Sequence, residues 1–141
     1  MSSEKTLELR IPSVLGFEKV AMEFAAVVAK MMNVAEDRVE DLKTAVAEAC
    51  LNAIVHGNKS NPNKTVMIEI IFSSTDLTVK VGDQGEGFDP QEIPDPLAEE
   101  NLLREVGRGV FIVRSLMDEL RYEAGPEGGT VVVARKNLSS G

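Results

Sequence analysis

Apolar and polar positions change their period along this chain, and each change marks an element. Leu7, Leu9 and Ile11 alternate with Glu8 and Arg10, which predicts a strand. Ser13 is placed to cap a helix over about 14–32. Within it Phe17, Val20, Ala21, Phe24, Val28 and Met31 recur at helical spacing. A second helix is predicted over 36–56, with acidic residues at its positive end and Gly57 as its C-terminal stop. Residues 59–63, Lys-Ser-Asn-Pro-Asn, read as a turn. Thr65–Phe72 and 77–81 read as strands joined by a hairpin at 73–76. The stretch 88–106 is acidic and holds Pro90, Pro94 and Pro96; a loop this long is commonly a functional lid or a disordered segment. Helical spacing returns over 109–117, and 120–123 and 130–134 read as strands around the turn at 125–129.

Strands that come in pairs predict an α+β fold. It is a two-layer sandwich with a mixed, largely antiparallel sheet covered on one face by helices. No repeat or linker divides the chain, so a single domain over 1–141 is expected, with a lid at about 88–106.

Composition narrows the function. The hydrophobic fraction is 43% but aromatics are 4%, with no Trp, so the core is aliphatic. A net charge of -8 argues against direct binding to DNA or RNA, which leaves a basic footprint. It is compatible with a nucleotide, whose phosphates a metal and a few local cations can hold. The single cysteine, Cys50, allows no internal disulfide and fits a reducing compartment. The polar start and the lack of a long apolar run predict a cytoplasmic protein with no membrane segment.

Four short segments in order carry the chemistry. They are Glu48-Ala-Cys-Leu-Asn52-Ala-Ile-Val-His56-Gly57-Asn58, Asp83-Gln-Gly85-Glu-Gly87, Gly107-Arg108-Gly109 and Gly129-Thr130. Neither a Walker motif nor the kinase H-R-D and D-F-G signatures occur. Glu48 and Asn52 are four apart and so share a helix face. They are either satisfied by neighbouring backbone or line a cleft. In the cleft, Asn52 could offer an amide oxygen to Mg2+ and Glu48 could polarise an attacking hydroxyl. His56, the sole histidine, reads as a helix-end or packing residue before a catalytic one. Asp83 sits in what is by itself a plain turn. Its glycines would also let backbone approach a flat ligand, and its carboxylate could accept from the exocyclic amine of adenine. Gly107-Arg108-Gly109 is a hinge, a phosphate site at a helix start, or both. Arg108 either contacts terminal phosphates or is solvated. Thr130 is a strand former whose hydroxyl could also reach a base edge, directly or through water.

Taken together, these motifs resemble the ATPases of the Bergerat fold. Glu48 to Asn52 looks like their N box, Asp83-x-Gly85-x-Gly87 like the first glycine box and Gly107-x-Gly109 like the second. The strings E-A-C-L-N-A-I-V-H-G-N and G-R-G-V-F-I-V-R-S-L-M-D-E-L are similar to the branch of anti-sigma factor serine kinases. That resemblance spans almost the whole chain. It implies an Mg-ATP site and phosphoryl transfer to a serine of an anti-anti-sigma partner of the STAS type. It also implies sequestration of a sigma factor in a partner switch, often by a homodimer. By the same resemblance Glu48 is the catalytic base, Asn52 the Mg2+ ligand, Asp83 the adenine contact and Thr130 its neighbour. Gly107, Arg108 and Gly109 belong to the lid. Other readings are an ATP-gated adaptor without kinase activity, an ATP hydrolase and a detached histidine-kinase catalytic domain. The last is disfavoured because no dimerisation helix with a phosphorylatable histidine is present.

Overall fold

The computed structural model describes residues 4–85, 115–125 and 128–137. Strand β1 spans Lys5–Pro12, followed by helices α1 (Glu18–Met31) and α2 (Glu36–Asn52). A π-helical turn, Ala53–Gly57, extends α2. The hairpin β2 (Thr65–Phe72) and β3 (Asp76–Gly82) comes next, then β4 (Glu119–Ala124) and β5 (Thr130–Asn137).

Helix α1 begins four residues later than the apolar spacing predicts. Ser13 does not cap it. The Ser13 hydroxyl instead donates to the Lys64 carbonyl at 2.8 Å. Gly16 follows with φ +108°, a left-handed backbone that breaks helical geometry. Its N–H donates to Glu18 Oε1 at 2.6 Å, so the first acidic residue of α1 folds back on the preceding turn. The predicted third helix lies outside the described residues except at its end, where Ser115 and Leu116 are helical. The proposed lid at 88–106 lies outside them entirely.

The described strands form one sheet in the order β1-β2-β3-β5-β4, and all four pairings are antiparallel. No parallel pair occurs among these strands, so the sheet is simpler than the mixed one expected. Alternation gives β2 and β3 a buried face. Val66, Ile68 and Ile70 are fully enclosed, with Leu77, Val79 and Val81 beside them. The helices cover that face through small side chains: Ala21, Ala25, Ala26 and Ala29 of α1, and Ala45, Val46, Ala49 and Cys50 of α2. An apolar pocket between α2 and the sheet is lined by Ala45, Ala49, Val79, Val81 and Ala134, with Met117 at its side. Among the described residues no helix is long and apolar enough to cross a membrane.

Two consequences of this packing position the site. The C-terminal end of α2 lies over the end of β3, and the strand order sets β5 beside β3. The end of a helix, the end of one strand and the start of another therefore meet.

Candidate functional site

Glu48 and Asn52 are both half-buried on α2. Neither side chain has a hydrogen-bond partner among the described residues, so the reading in which backbone satisfies them does not describe this structure. Asn52 is the last α-helical residue. The next turn widens: the Asn58 N–H donates to the Ala53 carbonyl at 2.8 Å, five residues back. This π turn carries His56 out to solvent and brings Gly57 against the turn after β3.

That turn is built around Asp83. The β3–β5 ladder ends with Gly82 opposite Val131. One step further, the Asp83 N–H donates to the Thr130 carbonyl at 2.9 Å. Asp83 Oδ1 then accepts the Thr130 N–H at 3.2 Å and the Gly85 N–H at 2.9 Å. These bonds fix the carboxylate and leave Oδ2 without a hydrogen bond from any described residue. Glycine is required on two sides. A Cβ at Gly57 would collide with the Asp83 carboxylate. At Gly129, where φ is +77°, it would strike the Asp83 carbonyl. Gly85 packs equally close to the Gly57 carbonyl. Thr130 is buried.

The structure thus brings Asp83, Gly85 and Thr130 together beside the extension of the helix that carries Glu48 and Asn52. Gly87, Gly107, Arg108 and Gly109 lie outside the described residues. Asn58, the last residue of the first motif, carries a role that the local sequence does not announce. It is 2% exposed. Its Nδ2 donates to Ser13 Oγ at 2.7 Å and to the Thr65 carbonyl at 3.0 Å, and its Oδ1 accepts the Gln84 N–H at 2.6 Å. The signal available was a polar amide directly after a helix-ending glycine. Two of its partners, Ser13 and Gln84, lie 45 and 26 residues away in sequence, which hid the role.

The donor set suits a magnesium nucleotide. No cluster of three or more His, Cys, Asp or Glu that could hold a metal occurs among the described residues. Mg2+ needs few protein ligands when phosphates and waters complete its shell, and the unpartnered Asn52 amide can supply one. Asp83 Oδ2 lies against Gly57 and keeps its acceptor capacity, which a ligand amine could use. Cys50 takes no part. It is fully enclosed and its thiol is pushed up to about 12, first by burial and then by the charge of Glu18.

A helix-covered antiparallel sheet with this helix-end and strand-end site defines a class. The chain belongs to the histidine kinase-like ATPase domain family, whose profile matches residues 17–136. It is 33% identical over 139 residues to the serine-protein kinase RsbW of Bacillus subtilis (strain 168), covering 94% of this chain and 86% of that protein. It is 32% identical over 142 residues to an anti-sigma F factor of Thermoanaerobacter sp. (strain X514), covering 99% of each. Among solved structures it is similar to the RsbU and RsbW domains of Rv1364c from Mycobacterium tuberculosis. That match has a TM-score of 0.68 at 15% identity and covers 95% of this chain but 32% of that one. The likeness shows the fold. The expected family and α+β sandwich both hold.

Proposed function

We propose that this chain is an ATP-dependent serine protein kinase and anti-sigma factor, acting as one domain in a partner switch. The observation that carries the reading is the Asp83 carboxylate. One oxygen is held by two backbone N–H groups, and the other lies against Gly57 with no hydrogen bond from any described residue. An acceptor held this way selects adenine, which presents an amine, over guanine, which presents a carbonyl. The relatives named as serine-protein kinase and anti-sigma factor support the activity.

The half-buried Asn52 would hold Mg2+, which supplies charge neutralisation at the phosphates. Glu48, one turn earlier on the same face, accepts the proton of the attacking serine hydroxyl. The serine oxygen bonds to the γ-phosphorus as the bond to the bridging β–γ oxygen breaks, and ADP leaves. Such a transfer depends on positioning and charge rather than on covalent help from the protein. Gly107, Arg108 and Gly109 complete the phosphate side in this reading, and Gly87 and Thr130 border the base.

The protein substrate carries its serine to the cleft from the side where the loop before α1 meets the turn after α2. Those segments adjoin, since the Ser13 N–H donates to the Lys64 carbonyl at 3.1 Å. The loop and α1 expose Leu15, Phe17, Val20, Val27 and Met31, more apolar surface than a solvated helix needs. An anti-anti-sigma protein, a sigma factor and a second copy of the chain are the partners this face suits. The expected setting is the cytoplasm.

Transfer of labelled γ-phosphate to a partner serine tests the reading. Glu48→Ala should keep ATP affinity and lower transfer by about 10²–10⁴-fold, the usual worth of a general base. Asn52→Ala should weaken magnesium-nucleotide binding with circular dichroism unchanged. Unaltered transfer by Glu48→Ala would remove it from the chemistry. A wild type that binds ATP and holds its partner without transfer would make the protein an ATP-gated adaptor.

A further inference from the structure

We infer that Asn58 is a positioning residue for nucleotide selection: its buried carboxamide ties the base-reading turn to two fixed parts of the fold. This rests on the reading of Asp83 as the adenine contact.

A carboxamide has two N–H donors and a carbonyl acceptor. All three are used, to Ser13 Oγ, to the Thr65 carbonyl and from the Gln84 N–H. The network also fixes the amide orientation, since the Thr65 carbonyl can only accept and the Gln84 N–H can only donate. No other side chain of this length offers the same set. Asp lacks the donors, and Ser or Thr has one. The carboxamide is enclosed, so each bond lost leaves a group without water to replace it.

The target of this clamp is specific. Gln84 lies between Asp83 and Gly85, the two residues whose geometry defines the open carboxylate oxygen. Gln84 is itself exposed, yet it is held at two points: its N–H by Asn58 Oδ1, and its Oε1 by the Thr65 N–H at 2.6 Å. The π turn sets the other side, because the Asn58 backbone is bonded to Ala53 while the preceding Gly57 touches Asp83. Ser13 is anchored in turn, its hydroxyl donating to Lys64. The turn, held on the β5 side through Thr130, is thereby also bolted to the end of β1, the start of β2 and the extension of α2.

The test compares the full chain with Asn58→Ala, Asn58→Asp and Ser13→Ala, at a temperature where each is folded. Without nucleotide, the Gln84 amide should exchange slowly with deuterium in the wild type and rapidly in Asn58→Ala, while the amides of β3 stay protected. Titration with Mg-ATP and Mg-GTP should show ATP affinity falling about tenfold in Asn58→Ala, the scale of a lost buried hydrogen bond. The preference for ATP over GTP should narrow with it. Asn58→Asp keeps the acceptor for Gln84 and should fall between. Ser13→Ala removes one partner, should show the same changes to a smaller degree, and carries the test if Asn58→Ala does not fold. Variants that melt earlier but bind ATP with wild-type affinity and selectivity would overturn the inference, leaving Asn58 a packing residue. A wild type indifferent between ATP and GTP would instead overturn the reading of Asp83, and the inference with it.

Discussion

Cys50 shows how burial decides a residue's chemistry. The thiolate is the reactive form of cysteine, and enclosure lifts this thiol from 9.0 to about 12. The folded protein should therefore resist a thiol-reactive dye near neutral pH and react fully once denaturant is added. The same shift links to stability. Because the folded value is raised, the fold favours the protonated thiol. That contribution is complete below about pH 9 and is lost progressively as pH rises toward about 12. The melting-temperature difference between wild type and Cys50→Ala should be flat from about pH 7 to 9 and should shrink above it. A dye reaction in native buffer within minutes would mean that the site opens readily.

At the scale of the element, α1 separates what the sequence makes legible from what it hides. Its apolar spacing correctly announces a helix. It does not say which apolar residues face the core. Ala21, Ala25, Ala26, Val28 and Ala29 are buried, while Phe17 is 41%, Val20 48% and Met31 71% exposed. Close approach to α2 and the sheet favours small side chains on the innermost face, so several of the larger ones remain outside. Periodicity weighs size and apolarity together, and of its six positions Ala21 and Val28 are buried and Phe24 packs against the core, while Phe17, Val20 and Met31 stay outside. The contrast predicts opposite responses to mutation. Ala25→Leu should destabilise by about 1–3 kcal/mol through overpacking. Val20→Glu should change stability by roughly 0.5 kcal/mol or less, yet should abolish capture of a protein partner. Urea unfolding and co-purification measure the two effects separately. A Val20→Glu protein that holds its partners normally would remove this face from the docking surface.

The site divides along the same line. Glu48 and Asn52 were legible because helical spacing alone puts them on one face. Asp83 and Gly85 were legible because an acidic residue and glycines after a strand imply a turn. Ser13 is misread as a cap and Asn58 has no legible role, because both roles are set by contacts 51 and 45 residues away, which no local pattern encodes. Ser13 has the composition of a helix cap, and the tertiary bond to Lys64 outweighed that local preference.

For the whole molecule the relevant quantity is charge. A domain with net charge -8 and no basic stripe has little to offer promoter DNA, so an effect on transcription runs through bound proteins. The same charge gives the switch a release step. Transfer of the γ-phosphoryl adds about 1.5–2 negative charges to the substrate serine. The product then carries more negative charge toward a protein whose net charge is already -8, and overall repulsion should favour its departure. The unmodified partner and a Ser→Asp version should differ in affinity for the ADP-bound domain by about tenfold or more, on the order of 1.4 kcal/mol. Salt separates charge from shape. The screening length falls from about 10 Å at 0.1 M to about 3 Å at 1 M. A difference caused by repulsion across the docking face should therefore shrink at high salt, while one caused by a steric clash of the altered serine should persist. Titrations of both partners at the two salt concentrations decide the matter. Equal binding at low salt would show that release does not depend on charge, even with transfer itself demonstrated.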